Sequence, residues 1–353
     1  MLKPCSHFYV VALLFLLWLP TASTHAQITL RAVGDVMLGS YTPRTILPPQ
    51  EGKFFADSIG RYLKGADIVF GNLEGAFVKA EMKPQKCSES SRRAGRCYEF
   101  GMPPTLAPVL QQMGFTVMSM DNNHVSDYGD AAYQYSKTLL AEQGIAFAPK
   151  KGLAEITIRN KKIAVVAFGF SETSYQVSDP KYAAQVIDSV KKHYDLVIVS
   201  FHGGAEGKNA QHVENKTEMF YGENRGNLIE FAHRVIDAGA TMVIGHGPHV
   251  LRALELYKNK LIMYSLGNFL TYGNMNIQGI TGVGAIVEAE IDEQSGDFMR
   301  GKIIPTQQIE PGYPVYDAQH RAIAVIKSLT ETDFPNTPLT IMDDGTLSVK
   351  LTR

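Results

Sequence analysis

Short apolar runs alternate with amphipathic segments along most of the chain. The runs rich in β-branched residues predict strands at residues 28–33, 66–70, 116–120, 163–168, 196–201, 241–244 and 261–264. Segments with helical spacing lie between these runs, at residues 54–64, 104–113, 131–143, 181–192 and 224–238. Because strands and helices alternate, the pattern predicts an α/β protein.

The pattern changes towards the carboxyl terminus. Two longer strands, at residues 283–291 and 299–308, flank the polar segment 292–297 and predict an antiparallel hairpin. One further helical segment follows at residues 318–329. We therefore expect a main domain over residues 27–310 and a C-terminal appendage over residues 311–353.

The amino terminus has the pattern of a targeting segment. Lys3 precedes an apolar run at residues 8–19, and Pro20 ends that run before small and polar residues. This order predicts a signal peptide over residues 1–26 with cleavage after Ala26, and an exported, periplasmic or extracellular protein. The apolar run is shorter than the roughly 20 residues that span a bilayer. If it stayed uncleaved, the protein would be membrane-anchored.

Composition and charge exclude several classes of protein. Hydrophobic residues make up 45% of the chain and charged residues 20%, which is typical of a globular protein with a large core. The 34 basic residues nearly balance the 35 acidic ones, for a formal net charge of -1. A dedicated nucleic-acid-binding protein would have an excess of positive charge, so we expect no nucleic-acid partner.

Two cysteines, Cys87 and Cys97, lie outside the predicted signal peptide. The segment between them is polar and has no apolar periodicity. In an oxidising compartment such a pair predicts one disulfide across a surface loop. A pair of free thiols is the alternative.

A short polar segment follows nearly every predicted strand. The segments are Gly34-Asp35, Gly71-Asn72-Leu73-Glu74-Gly75, Asp121-Asn122-Asn123-His124, His202-Gly203-Gly204-Ala205-Glu206, Gly245-His246-Gly247-Pro248-His249 and Ser265-Leu266-Gly267-Asn268-Phe269. Ligands of open α/β sheets collect at the carboxyl ends of the strands, so these segments are expected to form one site. Structural turns require Gly, Asn or Asp but not His or Glu.

The side chains of these segments suit a metal ion. Four imidazoles, two carboxylates and one amide form a mixed nitrogen and oxygen set, from His124, His202, His246, His249, Asp35, Glu74 and Asn123. Such a set suits Zn, Mn or Fe better than Ca or Mg alone. The sequence thus predicts a site for one or two divalent transition-metal ions. The alternative is a scatter of turn residues without a common role.

The order of these motifs resembles one protein family. Gly-Asp, Asn-Leu-Glu, Asn-Asn-His, a His with Glu four residues on, Gly-His-x-Pro-His-Val and Tyr-Ser-Leu-Gly-Asn-Phe occur in sequence between residues 28 and 269. This order resembles the CapA family of poly-γ-glutamate capsule synthesis proteins, a branch of the metallophosphoesterase superfamily. The resemblance implies a four-layer α/β/β/α sandwich of two mixed sheets.

The resemblance also implies roles for individual residues. The implied metal ligands are Asp35, Glu74, Asn123, His202, His246 and His249. His124 is implied to face the substrate as a catalytic residue, and Asp127 is placed to orient its ring. Asn72 shares the second acidic motif with Glu74, and Glu206 is either a further ligand or a support for one.

Two positions depart from the superfamily pattern. Met37 stands where the first motif, Asp-x-His, has its histidine, and a thioether does not replace an imidazole on a hard divalent ion. In the last motif His246 and His249 are three residues apart, whereas the superfamily spaces this pair by two. These departures affect the number of ions that the site can hold.

Two functions agree with these residues. The first is an exported metal-dependent hydrolase acting on a phosphoester or on an envelope or capsule polymer, in capsule or poly-γ-glutamate synthesis. Its implied partners are that substrate and a capsule synthesis complex at the membrane. The alternative is a non-catalytic capsule or envelope assembly factor that retains the fold, with or without a structural metal.

Overall fold

The computed structural model describes residues 26–350, so the predicted signal peptide lies outside the described residues except for Ala26. The strands are β1 (Gln27–Met37), β2 (Ile68–Leu73), β3 (Ala76–Phe77), β4 (Gly101–Met102), β5 (Val117–Met120), β6 (Ala146–Pro149), β7 (Leu153–Ile158), β8 (Lys161–Phe168), β9 (Leu196–His202), β10 (Met219–Phe220), β11 (Glu223–Asn224), β12 (Met242–His246), β13 (Leu254–Tyr257), β14 (Lys260–Met263), β15 (Asn268–Thr271), β16 (Val283–Asp292), β17 (Phe298–Ile309), β18 (Tyr313–Tyr316), β19 (Leu339–Ile341) and β20 (Thr346–Val349). The helices are α1 (Phe54–Ile59), α2 (Glu89–Arg93), α3 (Ala107–Met113), α4 (Gly129–Glu142), α5 (Pro180–Lys191), α6 (Leu228–Asp237) and α7 (Arg321–Asp333). None of the helices between residues 26 and 350 combines the length and hydropathy that crossing a bilayer requires.

Most strands belong to two mixed sheets. The first has ten strands in the order β19-β20-β17-β16-β1-β2-β5-β6, with β15 beside β1 and β18 beside β17. The second has six strands in the order β13-β14-β12-β9-β8-β7. Strands β1, β2, β5 and β6 run parallel in the first sheet, as do β8, β9, β12 and β14 in the second. Both groups of parallel strands come from the α/β part of the sequence pattern.

Three apolar cores separate four layers. The first lies between the two sheets, where Leu30 and Phe70 belong to the same cluster as Ile198 and Ile244. A second core joins the outer face of the ten-stranded sheet to α1, α3 and α4, and a third joins the six-stranded sheet to α5 and α6. Successive strand residues point to opposite faces, so both faces of these strands are buried. The structure confirms the predicted four-layer α/β/β/α sandwich.

Helix boundaries follow local capping rather than apolar periodicity alone. The sequence predicts a helix over residues 224–238, but α6 begins after Asn227, whose side chain accepts a hydrogen bond from the backbone amide of Glu230. By contrast, α3 ends at Met113, the end of the predicted helix, because Gly114 follows in the left-handed conformation with φ 105°.

The C-terminal segment differs from the expected appendage. The predicted hairpin forms, since β16 and β17 pair antiparallel, and β18 and β20 then pair with β17 in the same sheet. Ile323 and Ile326 of α7 are buried in the core between the two sheets. Residues 311–350 are thus part of the sandwich, because their apolar faces complete a core that the preceding strands leave open.

The predicted disulfide is present, joining Cys87 to Cys97. Just after its loop the buried carboxylate of Glu99 accepts hydrogen bonds from the Cys87 backbone amide at 2.9 Å and from Arg92 Nε at 2.8 Å. Tyr98, directly after the disulfide, is half exposed. The covalent link and the ion pair between Arg92 and Glu99 both restrain this loop.

Removal of the disulfide is expected to lower the free energy of unfolding by roughly 2–3 kcal/mol, because it restores entropy to the unfolded chain across a short loop. The double variant Cys87→Ser and Cys97→Ser can be compared with wild type by urea denaturation without reductant. Ser90→Ala, in the same loop, is the control that leaves the disulfide intact. Equal unfolding midpoints for wild type and the double variant would contradict the expectation.

Candidate metal centre

The carboxyl ends of the parallel strands meet at one edge of the sandwich. Asp35 on β1 is in register with Asn72 on β2 and with Asn268 on β15. On the facing sheet His202, the last residue of β9, is in register with His246, the last residue of β12. The segments lie together because the parallel strands of each sheet end in register.

A pair of carboxylates lies at the centre of this edge. Asp35 and Glu74 are fully buried, and the Asn72 amide donates to both, at 2.8 Å and 2.7 Å. Burial and the Asp35 charge raise the pKa of Glu74 to about 8. For Asp35 the cost of burial is outweighed by the hydrogen bond and charge of His249, which lower its pKa to about 2. Two buried acidic groups this close favour the binding of a cation.

His202 completes a three-residue ligand set with these carboxylates. Its side chain is 1% exposed, and neither ring nitrogen has a hydrogen-bond partner among residues 26–350. Its Nδ1 lies 3.8 Å from Glu74 Oε2, and potential ligand atoms of Asp35, Glu74 and His202 lie within 4.8 Å of one another. Burial lowers the pKa of His202 well below its usual value, so the ring is neutral and has a lone pair to offer. Such unpaired buried nitrogens fit a metal ligand.

The other predicted ligands surround this set at different distances from it. His249 Nδ1 is 2.8 Å from Asp35 Oδ2, and that contact outweighs burial and raises the pKa of His249 to about 10. His246 Nε2 donates to the Val33 carbonyl at 3.1 Å, which leaves Nδ1 as the nitrogen available to an ion. Asn123 Oδ1 is buried without a hydrogen-bond partner in the described chain.

His124 and Asp127 form a buried pair on the next loop. His124 Nδ1 lies 2.6 Å from Asp127 Oδ2, which also accepts from the Phe100 backbone amide at 2.8 Å. The other ring nitrogen, Nε2, is 4.0 Å from Glu74 Oε1. Burial lowers the pKa of His124, and the Asp127 charge opposes that effect. This geometry places Nε2 towards the carboxylate pair, while the catalytic role of the histidine stays a prediction.

Glu206 lies at the periphery of the site. Its carboxylate forms an ion pair with Arg225 at 3.0 Å and approaches His249 Nε2 at 4.0 Å. The Arg225 guanidinium stacks over the ring of Phe170 at 3.7 Å, and that ring faces His202 at 6.0 Å between centroids. Arg225 and Phe170 were missed in the sequence because neither follows a strand with a distinctive motif.

Asn122 is a third residue of the site whose role the sequence motifs did not indicate. Its amide donates to Asn72 Oδ1 at 2.9 Å and to the Leu73 carbonyl at 2.8 Å, and its own oxygen accepts from the His124 backbone amide. It therefore joins the loop that carries His124 to the end of β2, which Glu74 directly follows. Its position beside Asn123 in the motif is the one sequence signal, but the motif does not distinguish the roles of two adjacent asparagines.

The centre opens into a cavity of about 350 Å³ lined by His124, Glu206, His249 and Asn268. Tyr98 and residues 274–276 line both this cavity and a neighbouring one of about 510 Å³. The two cavities are therefore adjacent. Their combined size leaves room for a ligand that extends beyond the ion-binding side chains.

Comparison with known proteins identifies the family. The family model described as "Bacterial capsule synthesis protein PGA_cap" matches residues 29–272. The chain belongs to this family. Two relatives are the "PGA biosynthesis protein CapA" of Bacillus subtilis, 28% identical over 71% of this chain, and the "Capsule biosynthesis protein CapA" of Bacillus anthracis, 25% identical over 69%. The matches span 66% and 60% of the lengths of those relatives.

Solved structures with a similar arrangement are distant in sequence. A crystal structure titled as a novel phosphatase of Mycoplasma pneumoniae is 13% identical, covers 81% of this chain and 96% of its own, and has a TM-score of 0.49. A hypothetical protein of Thermus thermophilus is 14% identical, with 80% and 100% coverage and a TM-score of 0.46. Likenesses of this size do not indicate a shared reaction.

Proposed function

We propose that this protein is an exported metal-dependent hydrolase that acts on a phosphoester or on a polymer linkage of the envelope, in capsule or poly-γ-glutamate synthesis. The observation that carries the proposal is His202, a buried imidazole without a hydrogen-bond partner in the described chain, beside two buried carboxylates. A purely structural histidine in this position would leave two polar atoms unsatisfied. Asp35, Glu74 and His202 hold the first ion, and the remaining ligands are His246, His249 and Asn123.

The side chains around the ion have separate tasks in this proposal. A bound Zn, Mn or Fe ion would polarise a substrate oxygen and make water more acidic. The carboxylate of Asp127 accepts a hydrogen bond from the protonated Nδ1 of His124, so Nε2 is the nitrogen that can exchange a proton with the substrate. Phe100 packs against the His124 ring at 4.4 Å between centroids, which limits its rotation.

Separate observations support the proposed export and the proposed pathway. The disulfide between Cys87 and Cys97 agrees with an oxidising compartment, as does the apolar run that follows Lys3. We propose a periplasmic or extracellular protein, membrane-anchored if the amino-terminal segment stays uncleaved. PGA biosynthesis and capsule biosynthesis are the functions in the names of the two Bacillus relatives, and a synthesis complex at the membrane is the proposed partner.

One observation favours the alternative of a non-catalytic assembly factor. Met37 is fully buried in the apolar core between the first sheet and its helices, so no imidazole enters the site from this position. A site with fewer ligands could hold one structural ion and turn nothing over. The two functions differ in whether metal removal affects chemistry or only stability.

Chelation is expected to abolish hydrolysis of an activated aryl phosphate ester by the purified protein. Elemental analysis gives the metal content before treatment, and Zn, Mn and Fe are then added back separately. Recovery of turnover with one of these ions supports the hydrolase, because the ion supplies the charge that the substrate oxygen needs. Bound metal without turnover on any phosphoester or amide would favour the assembly factor, and absence of metal would overturn the hydrolase.

A further inference from the structure

A separate cavity of about 490 Å³ lies beside the metal centre, at the carboxyl ends of the first sheet's parallel strands. Asn122 and Asn123, which follow β5, line this cavity together with Phe170, whose ring faces His202. Lys150 also lines it and directly follows β6, the strand that pairs parallel with β5. The lysine thus occupies the same strand-end position as the residues of the candidate metal centre.

Lys150 is held in place but not neutralised. Its backbone amide donates to the Tyr133 hydroxyl at 2.8 Å, and its side chain is partly buried. The Nζ donates to the Ser126 hydroxyl at 3.2 Å, and no carboxylate between residues 26 and 350 forms an ion pair with it. A half-buried ammonium that contacts the Ser126 hydroxyl and lies 5.9 Å from the centre of the Tyr133 ring has donors left for an anion.

The other charges that line the cavity are already matched or lie at its rim. Lys86 is within 3.2 Å of Asp127 Oδ1 and donates to the Asn123 carbonyl. Glu223 forms an ion pair with Arg225 at 2.7 Å, and Glu172 is exposed. Lys150 is therefore the cation with the most capacity to bind a ligand in this cavity.

We propose that Lys150 forms an anion subsite that binds a second oxyanion of the substrate, a carboxylate or a phosphate, next to the group held at the metal centre. The inference rests on the proposed function and deepens it, since it assigns the substrate a negative charge away from the bond that reacts. Burial lowers the pKa of Lys150, and the charges of Asp121 and Asp127 oppose that effect. A bound anion would favour the charged ammonium further.

Isothermal titration calorimetry of the purified protein tests the subsite, with inorganic phosphate and glutarate as separate probes. Lys150→Met is expected to weaken binding of at least one probe by roughly 10–100-fold, the range for losing a charge-assisted hydrogen bond. The probe that responds shows whether the subsite prefers phosphate or carboxylate. Lys150→Gln supplies a second neutral variant in case Lys150→Met does not fold.

Two controls separate the subsite from general electrostatics. Lys151→Met removes the same charge from the adjacent exposed residue and is expected to leave binding unchanged, while Lys150→Arg is expected to retain it. Metal content is measured on every variant and should not change. Failure of the hydrolase proposal would appear in metal content or in turnover, whereas failure of the subsite would appear in the affinity for the probes. Equal binding by wild type and both neutral variants, or no binding of either probe to wild type, would overturn the subsite.

Discussion

His202→Ala is expected to lower the metal affinity of the purified protein by more than the roughly 10–100-fold that is typical when a residue supporting a ligand is lost. The expectation follows from geometry, because His202 is buried with both ring nitrogens unpaired in the described chain and lies 3.8 Å from Glu74. Asp35→Asn is expected to have a similar effect, since it removes a charge from the buried carboxylate pair while preserving the size of the side chain. Elemental analysis after dialysis against a weak chelator gives the occupancy of each variant.

His212→Ala is the matched control for this experiment. His212 is 59% exposed on its side chain and pairs with Asp333 rather than with residues of the centre. Its loss should leave metal content at the wild-type level. Retention of full occupancy in both His202→Ala and Asp35→Asn would show that any bound ion lies elsewhere.

His124→Ala is expected to reduce hydrolysis by roughly 10²–10⁴-fold, the usual contribution of a positioned general acid or base, while the metal stays bound. The reason is that His124 Nε2 faces Glu74 at 4.0 Å, whereas Nδ1 is bonded to Asp127 at 2.6 Å. Turnover of an activated phosphodiester and metal content are measured on the same preparations. A leaving group that needs little protonation would give the smaller losses in this range.

Asp127→Asn distinguishes a catalytic histidine from a structural one. Asp127 acts through His124, so the amide variant is expected to lower turnover and to shift its pH profile, because the carboxylate charge that raises the pKa of His124 is lost. Stability changes alone would move neither the pH profile nor the ratio of kcat to metal content. If wild type and His124→Ala are equally inactive with metal bound, the assembly factor is the better interpretation.

In the first three quarters of the chain the predicted strands agree with the structure because they depend on local sequence patterns. Apolar runs such as residues 163–168 and 196–201 are too short for core helices and rich in β-branched residues. Their length and composition therefore predict strands. They match β8 and β9 within two residues. The polar segments after such strands were informative because parallel strands all end at the same edge.

The C-terminal segment shows where this reasoning stops. Ile323 and Ile326 carry an ordinary amphipathic pattern, which says that one face is buried but not against what. In the structure that face fills the core between the two sheets, and β20 pairs with β17 far from it in the chain. Packing and strand pairing between distant segments depend on which surfaces remain uncovered once the other elements have packed.

Short-range periodicity and residue type predict the alternating strands and helices of the main domain, the disulfide pair and the set of imidazoles and carboxylates at the strand ends, but not short strands such as β3, β4, β10 and β11. The contacts around those side chains depend on the tertiary structure. Asn72 donates to both carboxylates, His249 contacts Asp35 and Asn122 joins the His124 loop to β2. Lys150 lies beside the centre without an ion pair in the described chain. These contacts join residues from different strands and from both sheets. Their distances depend on strand register and sheet packing, which arise from the burial of the whole core rather than from any local segment.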